Sequence, residues 1–169
     1  MRETTVGVFK LKQEAITPTY GSEAAACFDM YSCLIENASV KFYDHNNNKR
    51  NKHVEDKSVI LYSNERVLIP TGIIFDIPKG HSIRIHPRSG LSLKSGIVVA
   101  NCEGVVDNDY VEQTYVMLHN ISDKPFIVKH GDRIAQGELV VDSNVIFSDL
   151  KRKPLAKTDR NGGFGSTGV

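Results

Sequence analysis

Ile97-Val98-Val99-Ala100-Asn101-Cys102-Glu103-Gly104-Val105-Val106-Asp107-Asn108-Asp109-Tyr110, followed closely by Tyr115-Val116-Met117-Leu118, is the stretch on which the fold turns. The two apolar runs have the length and β-branched content of strands, so the polar segment 101–110 reads as the connection of an irregular β-hairpin. Ordinary hairpin connections hold about two to five residues. This longer one carries two amides, three carboxylates and a phenol. Such a loop can read the polar edge of a flat ligand while holding one carboxylate for chemistry.

Outward from the hairpin, strand signals continue in both directions. Val6 to Leu11 opens the series, and Val67-Leu68-Ile69 leads through Pro70-Thr71-Gly72 into Ile73 to Ile77, which Pro78-Lys79-Gly80 stops. Ser82 to His86 alternates polar and apolar residues, as a half-buried strand does. Phe126-Ile127-Val128, Arg133 to Val141 and Ser143 to Phe147 complete the set. Many short strands punctuated by Gly and Pro predict an all-β barrel or jelly roll. One short helix is expected, over Ser89 to Gly96, with Ser89 as its N-cap and Gly96 in the left-handed position after its end.

The chain has 169 residues, enough to bury a core without disulfide or metal staples. Lys plus Arg number 21 and Asp plus Glu 20, a net charge of +1, which argues against a general nucleic-acid or membrane binder. Cys27, Cys33 and Cys102 form no CxxC pair and suit a reducing compartment better than a disulfide framework or a zinc site. No apolar run approaches the roughly 20 residues that span a bilayer, and Met1 to Thr5 lack the apolar core of a secretory signal. The expectation is a soluble intracellular protein. Residues 1–150 read as one β-barrel domain. Residues 41–57 are polar and read as a solvated surface insertion. Residues 151–169, basic and then Gly-rich, are too poor in apolar residues to fold alone and read as a flexible arm.

Three further clusters can carry chemistry. Pro87-Arg88-Ser89-Gly90 follows a strand and precedes the short helix; it is either a capped turn or a place where a guanidinium and free N–H groups meet a phosphate. Gly162-Gly163-Phe164-Gly165-Ser166-Thr167-Gly168 is either a linker end or a lid, since an aromatic among glycines can stack on a ring while N–H groups and hydroxyls wrap phosphates. Gly131-Asp132-Arg133-Ile134-Ala135-Gln136 is a turn entering a strand. Arg133 and Gln136 lie three apart and so face opposite sides of a regular strand, one for an ion pair and the other for a ligand. In the hairpin itself, Asp109 reads as turn-shaping, whereas Asp107, after Val105-Val106, reads as a partly buried base. His86 near Ser89 lacks the Gly-x-Ser-x-Gly elbow of a hydrolytic triad.

Together the clusters resemble the trimeric dUTPase family. Ala24-Ala25-Ala26-Cys27-Phe28-Asp29-Met30, Pro87-Arg88-Ser89-Gly90, Gly104 to Tyr110, Gly131 to Gln136 and Gly162 to Gly168 look like its five motifs, in order. The resemblance implies a distorted jelly-roll homotrimer with active sites at subunit interfaces and a C-terminal tail exchanged between subunits. It implies hydrolysis of dUTP to dUMP and pyrophosphate, which supplies thymidylate synthesis and keeps uracil out of DNA. By the family's pattern, Asp107 activates the water that attacks the α-phosphorus, and Arg88, Ser89, Gly90 and Gln136 hold phosphate oxygens. Asn101 and the backbone of Gly104 and Val106 read uracil, with Tyr110 under the deoxyribose. Phe164 stacks on the base while Arg160, Gly165, Ser166 and Thr167 engage the terminal phosphates. Mg²⁺ travels with the triphosphate, and Asp29 meets it through water or contacts Arg88.

The chain departs from the pattern at Cys27 and Glu112, where the family usually has Gly, and in the single residue between Arg160 and Gly162, where two are usual. That last departure makes Lys157 and Arg152 alternatives to Arg160. The implied location is the cytoplasm or another intracellular compartment, the nucleus for a eukaryotic source and the host cell for a viral one. Two other readings stand beside this one: a dCTP deaminase relative, and a nucleotide-responsive trimer that captures a protein partner through the 41–57 insertion.

Overall fold

The computed structural model describes residues 4–159. In chain order the strands are β1 (Gly7–Lys10), β2 (Thr19–Tyr20), β3 (Phe28–Tyr31), β4 (Ser39–Tyr43) and β5 (Lys49–His53). Next come β6 (Ser58–Leu61), β7 (Arg66–Pro70), β8 (Ile73–Asp76) and β9 (His81–His86). The helix α1 (Ser89–Ser95) then precedes β10 (Ile97–Val99), β11 (Gly104–Val106), β12 (Tyr115–Asn120), β13 (Phe126–Lys129) and β14 (Arg133–Val141). Every strand pairing is antiparallel.

Two five-stranded sheets, in the orders β10-β12-β7-β4-β5 and β11-β9-β14-β3-β2, pack as a distorted jelly roll, with β1-β8 and β13-β6 as separate pairs. Alternation decides which face is buried. In β12 the residues Val116, Leu118 and Asn120 point inward while Tyr115 and Met117 point out. Met30, Leu61, Ile69, Ile83 and Leu118 are among the side chains that close the core. Among the described residues that buried core runs from Ala15 to Ala135.

The hairpin forms as expected: Ile97, Val98 and Val99 oppose Asn120, His119 and Leu118. Its connection, however, is more than a loop. Gly104 to Val106 within it form β11, which leaves the hairpin's own sheet and pairs with β9 of the other. The segment therefore bridges the two sheets.

Four expectations are corrected. Residues 41–57 are not a solvated loop: β4 and β5 make a hairpin that extends the first sheet, with Phe42 buried and the Asp44 carboxylate closing the turn by accepting from Asn46 N and Asn48 N. Ser143 to Phe147 form no strand; Ile146 and Phe147 are almost fully exposed, because no strand edge among the described residues pairs with them. Ser89 is not the N-cap. Arg88 takes that position with extended backbone and no side-chain cap bond. Gly96 does end α1 at φ 64°. Finally, Arg133 and Gln136 do not face opposite sides, because a bulge between Arg133 and Ala135 shifts the register of β14 against β3.

Gly137 shows how closely the sheet packs. It sits opposite Phe28, and a Cβ there would fall inside the van der Waals envelope of the Phe28 ring. Gly137→Ala is expected to cost about 1–3 kcal/mol through overpacking. A urea denaturation midpoint equal to that of the parent chain would refute this.

Candidate active site

Strand β3 and the bulged start of β14 assemble one cluster. Tyr31 opposes Arg133 and Asp29 opposes Gln136. Tyr31 and Asp29 are two apart and share a face, so the bulge puts Arg133, Gln136 and Asp29 on the same side. Asp29 Oδ1 lies 3.2 Å from Arg88 Nε and Oδ2 lies 3.1 Å from Arg133 Nη1. Arg88 Nη1 donates to the Arg133 carbonyl at 2.9 Å, and Gln136 Nε2 donates to the Pro87 carbonyl at 3.0 Å. Residues distant in sequence thus fix the entry to α1, with Ser89 and Gly90 exposed at its start. The helix's first N–H groups have no intrahelical partner.

The hairpin builds the second cluster. A cavity of about 230 Å³ is lined by Asn101, Gly104, Val106 and Tyr110, with Thr114 and Val116 deeper inside. Gly104 and Val106 are buried and present backbone, while Asn101 is exposed and its amide makes no hydrogen bond among the described residues. The Tyr110 hydroxyl donates to the Gln113 carbonyl at 3.0 Å. Burial pushes the Tyr110 phenol up, with Tyr115 and Glu112 adding to the effect, so it stays a neutral donor.

Asp107 directly follows Val106, the last residue of β11 in this cavity's lining. It is exposed rather than partly buried, since it lies past the end of β11. Its carboxylate has no hydrogen bond or ion pair among the described residues. Asp109 does not shape the turn through its side chain either; the turn is closed by Tyr110 N donating to Asp107 O at 3.1 Å.

His86 makes no pair with Ser89. Its Nε2 lies 3.3 Å from Glu138 Oε2 and its Nδ1 3.7 Å from Glu103 Oε1. Cys27 is half-buried, and burial, with Glu138 adding, pushes its thiol up, so the departure from Gly introduces no reactive thiolate. Gln113 was not singled out by sequence reasoning. It accepts from Gly72 N at 3.1 Å and donates to the Tyr115 hydroxyl, which ties the Tyr110 turn to the start of β8. A polar residue beside the alternation of β12 was its only signal. Arg160, Phe164, Gly165, Ser166 and Thr167 lie outside the described residues. No hydrogen bond or ion pair joins the arginine cluster to the hairpin cavity among the described residues. No three His, Cys, Asp or Glu side chains cluster there to hold a metal ion.

The family model of dUTPase matches residues 54–168, more than half of the chain. The chain belongs to the dUTPase family. It is 36% identical over 163 residues to the deoxyuridine 5'-triphosphate nucleotidohydrolase of Hydrogenobaculum sp., covering 96% of each protein. The dUTPase of Staphylococcus bacteriophage 80alpha, solved with dUpNHpp, shares its fold at a TM-score of 0.77 and 20% identity, over 99% of this chain and 100% of that one. A mutant dUTPase from phage phi11 of S. aureus, whose structure concerns the coordination of a structural Mg(II) ion, aligns at a TM-score of 0.69 and 18% identity, over 89% of this chain and 99% of that one. Among the described residues no helix is long and apolar enough to cross a membrane.

Proposed function

We propose that this dUTPase-family chain hydrolyses dUTP to dUMP and pyrophosphate by attack of an Asp107-activated water on the α-phosphorus. The observation that carries this reading is the Asp107 carboxylate, without a partner among the described residues and one residue beyond Val106 of a cavity whose polar lining includes Asn101, the backbone of Gly104 and Val106, and Tyr110. A carboxylate free of internal ion pairs can accept a proton from water, and attack on phosphorus then depends on positioning and on spreading charge.

Uracil enters the hairpin cavity, where the Asn101 amide and the β11 backbone offer donors and acceptors to its edge. Cytosine's amino group would leave buried polar groups there unpaired, which is how such a site rejects it. Tyr110 lies under the sugar and leaves no room for a 2′-hydroxyl. Arg88, the exposed start of α1 at Ser89 and Gly90, and the second N–H of Gln136 take phosphate oxygens.

Among the described residues no side-chain hydrogen bond or ion pair joins the arginine cluster and the hairpin cavity. We read them as halves of sites completed by neighbouring copies in a homotrimer, with 151–169 as an arm whose Phe164, Gly165, Ser166 and Thr167 close over the nucleotide. Arg160, Lys157 and Arg152 are the candidates for the terminal phosphate. Mg²⁺ bound to the triphosphate supplies further neutralisation of its charge. The described residues fit an ion carried by substrate rather than caged by protein: no acidic cluster exists, and each Asp29 oxygen keeps a second lone pair for a water.

The test is pyrophosphate release from dUTP, dCTP, dTTP, dATP and UTP with Mg²⁺, together with ammonia release from dCTP. dUTP alone is expected to turn over. Equal hydrolysis of all five would sink the reading, and ammonia from dCTP would replace it with the deaminase one.

A further inference from the structure

The Asp29–Arg88–Arg133 cluster holds two guanidiniums and one carboxylate, so these three side chains together carry one positive charge in excess. Asp29 is the best-sheltered member, with 13% of its side chain exposed against 26% for Arg88 and 52% for Arg133. Each of its oxygens is engaged by a different arginine. Were Arg88 its sole partner, the pair would be neutral and would offer a triphosphate hydrogen bonds without net charge.

We infer that Arg133 is a positioning residue for the phosphate site, acting through Asp29. It offsets the Asp29 carboxylate so that Arg88 is held in place by an ion pair and its charge still reaches the phosphates. The inference rests on the dUTP reading above. Backbone geometry makes the arrangement possible. The bulge in β14 turns the Arg133 side chain to the face that carries Asp29 and Gln136; a regular strand would direct it to the opposite face, the side of the buried Ala135. The Arg133 carbonyl also accepts from Arg88 Nη1, so the same residue orients the Arg88 guanidinium through its backbone and balances its anchor through its side chain. Substitution of the side chain leaves the backbone contact available, which separates the two roles.

The experiment measures the Kd of the full chain for the analogue dUpNHpp by titration calorimetry. Arg133→Gln keeps hydrogen-bond donors but removes the charge and is expected to weaken binding on the order of tenfold. Arg133→Lys keeps the charge and should bind nearly as the parent does. The combination of Asp29→Asn with Arg133→Gln leaves Arg88 as the single uncompensated charge, restoring the excess of one, and, measured without added Mg²⁺, should bind more tightly than Arg133→Gln alone. A purely structural role predicts the reverse, since the double variant loses the ion pairs altogether. Should Arg133→Gln fail to fold, Arg133→Met carries the same expectations, alone and with Asp29→Asn. Parent-like affinity in the uncharged variant, or no recovery in the double variant, overturns the inference. A parent chain that does not bind dUpNHpp refutes the dUTP reading instead.

Discussion

Replacing Asp107 with Asn is expected to lower kcat for dUTP by about 10²–10⁴-fold, with KM little changed. Asn keeps the size and shape of Asp but cannot take a proton from water, so the loss falls on the step in which the nucleophile forms. A base makes its decisive contribution only as the proton moves, and removing it lowers kcat and kcat/KM together. The location of Asp107 supports this division of labour. It follows β11 directly, and β11 is held on both its buried residues, Gly104 and Val106, against β9. Its own carboxylate has no partner among the described residues, so the substitution breaks no internal bond and should leave the melting temperature unchanged.

Asp109 supplies the control. It stands two residues away in the same exposed turn, also without a side-chain partner among the described residues. Asp109→Asn alters net charge near the site by the same amount as the Asp107 change. Equal losses in the two variants would mean that local negative charge, and not a particular base, supports turnover. Full activity in Asp107→Asn would remove the residue from the role altogether.

Much of the fold was legible because buried strands advertise themselves. Val67-Leu68-Ile69 and Tyr115-Val116-Met117-Leu118 are rich in β-branched and large apolar residues, and both form neighbouring strands in one sheet. The β4–β5 hairpin was hidden for the opposite reason. Lys49-Arg50-Asn51-Lys52-His53 is an edge strand with no apolar member, and charged residues are a common way to protect an edge. Two of its three formal charges are spent internally: Arg50 pairs with Asp44 at 3.1 Å, and Lys52 pairs with Glu65 while its ammonium lies over the Phe42 and Tyr62 rings. Ser143 to Phe147 failed the other way: a run of three apolar residues makes a strand only when a neighbouring edge pairs with it, and among the described residues none does.

The site divides along the same line. Motif order brought Arg88, Asp107 and Gln136 forward, but spacing alone misplaced Arg133, because one extra residue in a strand reverses the facing of everything before it. The adjacent buried pair Ile134-Ala135 is the trace of that bulge in the sequence. Gln113 was missed because its work is to hold Tyr110's turn, and residues that hold others carry no motif of their own.

Ending the chain after Asp159 is expected to leave folding intact and to cost turnover about 10²-fold or more. The first half of this expectation rests on where the core lies. Among the described residues its buried members run from Ala15 to Ala135 and no strand is formed beyond Val141, so the described core is complete without any contribution from the removed segment. Circular dichroism and the thermal midpoint should match the full chain. The second half rests on what the removed residues would supply: Phe164 for stacking on the base, and the N–H and hydroxyl groups of Gly165, Ser166 and Thr167 for the phosphates. Without them the nucleotide stays open to water, and the reacting atoms are less tightly held. Phe164→Ala isolates the ring; stacking on a base is worth about 1–3 kcal/mol, so its effect should be smaller than that of the truncation. Full activity in the shortened chain would remove the lid from the mechanism. Full activity in Phe164→Ala alone, with the truncation inactive, would assign the closure to the phosphate-facing residues rather than to the ring.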